Sequence, residues 1–238
     1  MQKKSGTFFG IGVGPGDPEL ITMKAIRILQ KVDCVYAASS TKNSHSLAVD
    51  IARAYIPEGT PVERLRFPMT TDPNETQAAW MENAARIHET LSGGSDAAFL
   101  TLGDPMTYST YGYVLRYLKR IDPEIVPVTV PGISSYQAAA ARLNVPLAEG
   151  EEALLVVSGA RGGDRLRELA VKPETIVFLK AYRNVADIRR AIEEAGSGYR
   201  SMAISNCGHT GETIVEDLKE LENRSPDYWT LIIAKRKK

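Results

Sequence analysis

The chain has 238 residues and a mass of 26.0 kDa, enough for one large domain or two smaller ones at roughly 100 to 200 residues each. Hydrophobic residues make up 43% and charged residues 24%, an ordinary globular balance that excludes disordered, collagen-like and coiled-coil chains. With 29 Lys plus Arg against 29 Asp plus Glu, there is no overall electrostatic pull toward nucleic acid or anionic membranes, and neither is expected as a partner.

In chain order, the pattern predicts a strand over Thr7 to Val13, a helix over Thr22 to Lys31, a strand over Cys34 to Ala38 and a helix over Ser46 to Tyr55. A weaker strand follows at Val62 to Phe67, then a long helix from Glu75 to Leu91, a strongly apolar strand from Ala97 to Leu102 and a helix from Gly112 to Arg120. Such alternation implies a mostly parallel sheet with ligands at the carboxyl ends of its strands. A proline-bearing strand over Pro123 to Pro131 leads into an Ala-rich helix, Tyr136 to Leu143. The domain boundary is placed there, giving an N-terminal α/β domain over 1–128 and a C-terminal α/β domain over 129–238. Beyond it come strands at Ala153 to Ser158 and Thr175 to Lys180, with helices at Asp164 to Ala170 and Val185 to Ala195. Strands near Ser201 to Asn206, Glu212 to Glu216 and Tyr228 to Ala234 close the chain without intervening helices, so the second sheet is expected to be mixed. The terminal Lys235-Arg236-Lys237-Lys238 reads as a solvated tail.

The longest near-candidate for a membrane span, Ile125 to Ala141, is interrupted by Pro127, Pro131 and Gly132. The opening Met1-Gln2-Lys3-Lys4-Ser5 runs into a strand pattern with no apolar signal segment, which predicts a soluble, cytoplasmic protein. Cys34 and Cys207 stand alone, and His45, His88 and His209 are the only imidazoles. No local spacing resembles a zinc or iron–sulfur site, so no protein-bound metal is expected.

Three loops stand out. The first, Gly10-Ile11-Gly12-Val13-Gly14-Pro15-Gly16-Asp17-Pro18, follows a strand and invites a dinucleotide reading. The spacing refuses it: the sixth position is Pro15 counted from Gly10 and Asp17 counted from Gly12, and both prolines remove backbone donors a pyrophosphate would use. Alternate glycines point instead to backbone that something approaches closely. The second loop, Leu102-Gly103-Asp104-Pro105-Met106-Thr107-Tyr108-Ser109-Thr110, follows the most apolar strand. Asp104 there reads either as a turn cap or as a ligand contact. The third, Pro131-Gly132-Ile133-Ser134-Ser135, opens a helix, where Ser134 or Ser135 serves as N-cap and exposed backbone donors can also meet a ligand.

Together, GxGPGDP, GDPMTYST and VPGISS resemble, in order and interval, the tetrapyrrole methylase family of S-adenosylmethionine-dependent enzymes of corrin and sirohaem synthesis. Within it, Asp104 to Thr110, Tyr113 to Leu118 and Lys180-Ala181-Tyr182-Arg183-Asn184 are most similar to the branch that methylates C20 of precorrin-2 or its cobalt complex. Leu102-Gly103-Asp104 stands where a uroporphyrinogen methyltransferase more typically shows GGD. The resemblance implies two α/β domains with S-adenosyl-L-methionine folded into the interdomain cleft, largely on main-chain groups. By position it implies cofactor contacts from Pro15, Leu102, Gly103, Asp104, Thr107, Ser134 and Ser135, then Lys180, Cys207 and Thr230. At Lys180 and Cys207 the family often has an apolar residue and a glycine, so only backbone contacts carry over. A homodimer is also implied.

Methyl transfer is an in-line displacement in which charge disperses, so positioning should dominate and a dry cleft should help. A proton must leave C20 afterwards, with Asp104 and Tyr108 the candidates to take it. The substrate's acetate and propionate groups need basic or backbone partners; Arg64, Arg66, Lys180 and Arg183 lie at or just beyond predicted strand ends. Tyr108 and Tyr111 are placed to stack on the macrocycle, whereas Tyr113 and Tyr117, at i and i+4, read as helix packing. The loops Ser39 to Ser46 and Phe67 to Asn74 read as connections or as a lid. The leading expectation is C20 methylation of cobalt-factor II or cobalt-precorrin-2. Metal-free precorrin-2, a nucleotide-dependent oxidoreductase and a non-catalytic tetrapyrrole carrier are the alternatives.

Overall fold

Near-continuous apolar runs on the first strands commit both faces of a sheet to burial, which is the pattern of a parallel sheet covered by helices on each side. The computed structural model describes residues 5–40, 46–222 and 226–237, which divide into two units, one up to Ser134 and one from Ser135. Met1 to Lys4, His45 with most of the loop expected over Ser39 to Ser46, and the final Lys238 lie outside the described residues.

In the first unit, β1 (Phe8–Gly12), β2 (Cys34–Ser40), β3 (Val62–Phe67), β4 (Ala97–Thr101) and β5 (Val128–Val130) form one sheet in the order β3-β2-β4-β1-β5. Every pairing in it is parallel. Ile11, Val35, Ala37, Ala98, Leu100 and Val130 face α1 (Met23–Leu29) and α2 (Leu47–Ala52). Phe8, Tyr36, Leu65, Phe67 and Phe99 face α3 (Pro73–Ser92) and α4 (Tyr111–Ile121). The alternation along each strand thus sorts two cores, and each fully buried Ile, Leu or Phe contributes about 1.5 to 3 kcal/mol. The connections leaving the neighbours β1 and β4 run over opposite faces, through α1 and α4, so a crevice opens at their carboxyl ends.

Local chemistry sets the boundaries. Thr22 caps α1, accepting from the Ala25 amide at 3.2 Å. Asp72 caps α3, accepting from Asn74 N at 2.8 Å with Pro73 as the first helical residue, so this helix starts two residues before the expected Glu75. Pro127 and Pro131 bracket β5 and cut the expected strand to three residues. Because β5 pairs with β1, it belongs to the first unit, and a boundary at 128/129 would sever it from its own sheet.

The second unit begins with α5 (Ser135–Leu143) and builds the sheet β6-β7-β10-β8-β9 from β6 (Leu154–Ser158), β7 (Thr175–Leu179), β8 (Tyr199–Ser205), β9 (Thr213–Val215) and β10 (Thr230–Arg236). β6 and β7 are parallel, while β10 runs antiparallel to both β7 and β8, making the sheet mixed as expected. Ile176, Phe178, Ala203, Ile232 and Ala234 pack against α6 (Asp164–Arg167), α7 (Val185–Glu194) and α8 (Lys219–Glu222). α6 is shorter than expected because Lys172 Nζ takes the carbonyls of Leu166 at 2.7 Å and Arg167 at 3.1 Å, closing the helix at its carboxyl end. Among the described residues, no helix is long and apolar enough to cross a membrane.

α6 is tied to α7 by charge. Asp187 accepts from Arg167 at 2.9 and 3.1 Å and from the Gly163 amide at 2.8 Å. The Arg167 guanidinium and that amide hold the Asp187 carboxyl down to about 2. An acid depressed in the folded state adds stability above its unfolded value, near 3.9 for Asp, and loses it as pH falls toward the folded value. Asp187→Asn should therefore lower the urea midpoint at pH 6, with the gap to the parent protein closing steadily when unfolding is repeated at pH 4 and pH 3.

Candidate active site

The three singled-out loops meet at the carboxyl end of the first sheet. Beyond β1 and β4, Gly103 N donates to Gly14 O at 2.7 Å and Gly14 N to Gly103 O at 3.3 Å, an isolated antiparallel bridge that stitches the first loop to the second. A Cβ on Gly12 would stand 2.5 Å from Gly103 O and 2.7 Å from Gly132 N; one on Gly132 would stand 2.2 Å from Gly103 O. Bare backbone from all three loops is therefore in contact, and Gly14, at φ +84°, turns the chain out of β1. Pro15 and Gly103 are buried, and Leu102 and Thr107 are half-buried beside them.

Asp104 holds this junction together. Its Oδ1 accepts from Met106 N at 2.9 Å and Thr107 Oγ1 at 3.4 Å, and its Oδ2 accepts from Gly132 N at 3.2 Å. Both oxygens are engaged by protein donors, so Asp104 fixes the second loop against the third. Thr101 Oγ1 and Ser109 Oγ share a 2.6 Å hydrogen bond, and Ser109 Oγ accepts from Tyr111 N at 3.1 Å, which closes the loop where α4 starts. Tyr108, 52% exposed, is held at φ +52° on the outer side of the same loop. Ser134 is buried and Ser135 half-buried at the start of α5.

Tyr111, expected to stack on the macrocycle, turns into the core instead. Its ring is fully buried between Phe8 and Phe99 and occupies the space that a side chain at Gly10 would need, with its hydroxyl 2.8 Å from Thr129 Oγ1. Tyr113 and Tyr117 pack on Trp80, as their spacing predicts. Arg64 and Arg66 are exposed on the edge strand β3, where Arg66 pairs with Glu75 at 2.5 Å.

In the second unit, antiparallel pairing brings the end of β7, the end of β8 and the start of β10 to one side of the sheet. Lys180, Thr230, Ser205 and Cys207 gather there. Lys180 is half-buried at φ +57°, and burial lowers its ammonium from the usual lysine value. Cys207 is buried, which pushes its thiol up to about 11. It stays protonated near neutral pH, so the backbone here, not the sulfur, is what can meet a ligand. Thr230 is a tie inside the protein. Only 1% exposed, it bonds Ser205 Oγ at 2.6 Å and Asp227 O at 2.7 Å, donates its amide to Asp227 O and accepts from Ala181 N.

Four non-glycine residues among those described have positive φ: Tyr108, Asn144, Lys180 and Asn206. Three of them sit at the strand ends just described, where such conformations persist because the surroundings over-determine them. The donor set is main-chain amides and carbonyls with few ionised groups, which suits a zwitterionic, nucleoside-bearing sulfonium and fits S-adenosylmethionine. Sequence reasoning missed an aromatic grouping beside Lys180, made of Tyr182, Tyr228 and Trp229 with Arg183. In a chain with only 7% aromatic residues, a Tyr-Arg pair after one strand and a Tyr-Trp pair before another were a usable signal.

Asp104→Asn tests the junction. An amide has one oxygen, so its NH2 would face either the Met106 or the Gly132 amide, replacing one hydrogen bond by two opposed donors. Urea unfolding should show a loss of about 1 to 3 kcal/mol; an unchanged midpoint would rule out the tethering role.

The family model for tetrapyrrole (corrin/porphyrin) methylases matches residues 7–222. A protein of Salmonella typhimurium named cobalt-precorrin-2 C(20)-methyltransferase is 33% identical over 98% of this chain and 97% of its own length. One from Methanocaldococcus jannaschii, named a probable cobalt-precorrin-2 C(20)-methyltransferase, is also 33% identical, over 99% of each. Among solved structures, the uroporphyrin-III C-methyltransferase of Thermus thermophilus complexed with S-adenyl homocysteine superposes with a TM-score of 0.65 at 25% identity, covering 97% of both chains. A cobalt-precorrin-4 methyltransferase superposes at 0.74 with 22% identity, over 96% of this chain and 94% of its own. The three-loop junction and these matches converge: the chain belongs to the tetrapyrrole methylase family.

Proposed function

We propose that the protein transfers the methyl group of S-adenosyl-L-methionine to C20 of cobalt-factor II or cobalt-precorrin-2 in the making of cobalamin. The observation that carries the reading is the backbone junction of Gly12, Gly103 and Gly132 at the crevice of the first sheet, in a chain matching C20-methyltransferases end to end. In this reading Pro15, Leu102, Gly103, Thr107, Ser134 and Ser135 hold the cofactor through main-chain groups, with Lys180 and Cys207 doing so from the second sheet. Asp104 serves them as the positioning residue that locks the loops.

The bound cofactor supplies an electrophilic methyl on a sulfonium. The protein's task is to hold the macrocycle carbon in line with it and exclude water, which orientation alone can reward by several kcal/mol, on the order of 7 to 11 at the limit. After the carbon–carbon bond forms, C20 must shed its proton. With the Asp104 oxygens engaged by amides and a hydroxyl, Tyr108 is the side chain we assign to pass that proton toward solvent. Arg64, Arg66 and Arg183, all exposed, are assigned to the carboxylates on the macrocycle's rim.

Incubating the purified protein with methyl-labelled S-adenosylmethionine and either cobalt-factor II or metal-free precorrin-2 should label the cobalt form at C20. Exclusive labelling of the metal-free form would move the protein to the other substrate. Tight binding of either compound with no transfer would make it a carrier. A homodimer accompanies the reading: light scattering at micromolar concentration should give twice the 26.0 kDa chain mass, and a monomer alone would count against it.

A further inference from the structure

The aromatic grouping of the second unit belongs neither to its core nor to the backbone contacts assigned to the cofactor. Tyr182, after β7, lies 4.9 Å from Tyr228 between ring centroids, and Tyr228 meets Trp229 edge-on at 4.9 Å. The Arg183 guanidinium carbon stands 5.0 Å from the centre of the Tyr182 ring. Two separate connections supply these residues, and pairing of β10 with β7 brings both to the side of the sheet that carries Lys180 and Cys207.

Rings gathered for stability alone would put the largest one inside, because burial is what they contribute. Here the order is reversed. Trp229 keeps 45% of its surface exposed and Tyr228 38%, while Arg183 above Tyr182 is exposed too. Each ring braces its neighbour, so the outer face is held in place at little further cost in side-chain entropy on binding. The chemistry is specific: apolar π faces for a flat partner, and one guanidinium at the margin for an anionic group on that partner's edge. A purine offers a flat face but nothing anionic at its rim. A reduced tetrapyrrole offers both a wide face and carboxylates around it.

We propose that Tyr182, Tyr228 and Trp229 form a stacking platform for the face of the tetrapyrrole, with Arg183 binding one of its rim carboxylates. This rests on the methyltransferase reading and assigns the substrate a docking surface in the second unit. Trp229→Ala and, separately, Arg183→Ala should each weaken cobalt-factor II binding by about tenfold in calorimetry, equivalent to about 1.4 kcal/mol. Affinity for S-adenosyl homocysteine should stay within about twofold, and Trp229→Phe should restore most of the loss. Thermal midpoints report whether either variant is misfolded, and the two exposed positions make joint failure a test of the surface itself. Unchanged tetrapyrrole affinity in both variants would overturn the platform. An equal loss of S-adenosyl homocysteine affinity would also overturn it, by giving the rings to the cofactor. Dissociation of a dimer in light scattering would give them to a second copy of the chain instead. If the unaltered protein binds S-adenosyl homocysteine but no tetrapyrrole, the substrate reading itself fails, and this is separable because it appears before any substitution.

Discussion

Contact between bare backbones at Gly12, Gly103 and Gly132 is the constraint on which the first unit's site depends. No side chain fits at Gly12 or Gly132 without driving into a neighbouring carbonyl or amide, so three loops from three strands can touch only because these meeting points lack a Cβ. The Gly14–Gly103 hydrogen bonds and the Asp104 carboxylate then lock the contact. What results is a ledge of fixed main-chain dipoles at the carboxyl edge of β1, β4 and β5, whose orientation needs no reorganisation when a ligand arrives. Charge is sparse there, as suits a cofactor whose own positive charge fades during the reaction.

The same logic explains why the first loop looks like a dinucleotide fingerprint without being one. In that fingerprint glycines clear space for a pyrophosphate. Here Gly10 clears space for the Tyr111 ring and Gly12 for the other loops. The close approach that alternating glycines announce is made by the protein itself, while Asp17 and Pro18 start a short 3-10 turn in which Asp17 Oδ1 accepts from Glu19 N at 2.9 Å. Glycine spacing therefore reports crowding, and only the identity of the crowding partner separates a phosphate site from a loop junction.

Much of this was legible in the sequence, for reasons that also mark its limits. Apolar patterning and capping signals are local, so β1 to β4, α3, α4 and α7 appear within a few residues of their expected places. Long-range pairing is not local. That β5 joins β1 follows from sheet closure across more than a hundred residues, and no pattern between Pro123 and Pro131 announces it. Tyr111 and Thr230 turn inward for a related reason. Each sits where a strand-end loop meets a helix or strand, and whether such a residue points outward or inward depends on what the rest of the fold leaves empty: at Tyr111 the space over Gly10, at Thr230 the hydroxyl of Ser205. Asp104 was readable as important but not as important in this way, since its partner Gly132 lies 28 residues away.

The two sheets reach similar surfaces by different means, and the difference bears on what each can recognise. In the first, glycine and proline make the strand ends, leaving main chain there and few side chains. In the second, non-glycine residues are forced to positive φ at Lys180 and Asn206, and Asn206 is anchored by its side-chain amide to Asp227 at 2.8 Å. Holding such residues in strained backbone costs of order 1 to 3 kcal/mol each. That cost secures both a presented backbone and a side chain at the same point, which glycine cannot offer. A surface of the first kind suits a constant partner met through amides and carbonyls, as every methyl donor of one chemical identity would be. The second kind, with Tyr182, Arg183 and Trp229 standing next to its strained positions, carries side chains that can vary without disturbing the backbone beneath. Within a fold that methylates different positions of related macrocycles, selectivity for one of them is more readily built on that second surface.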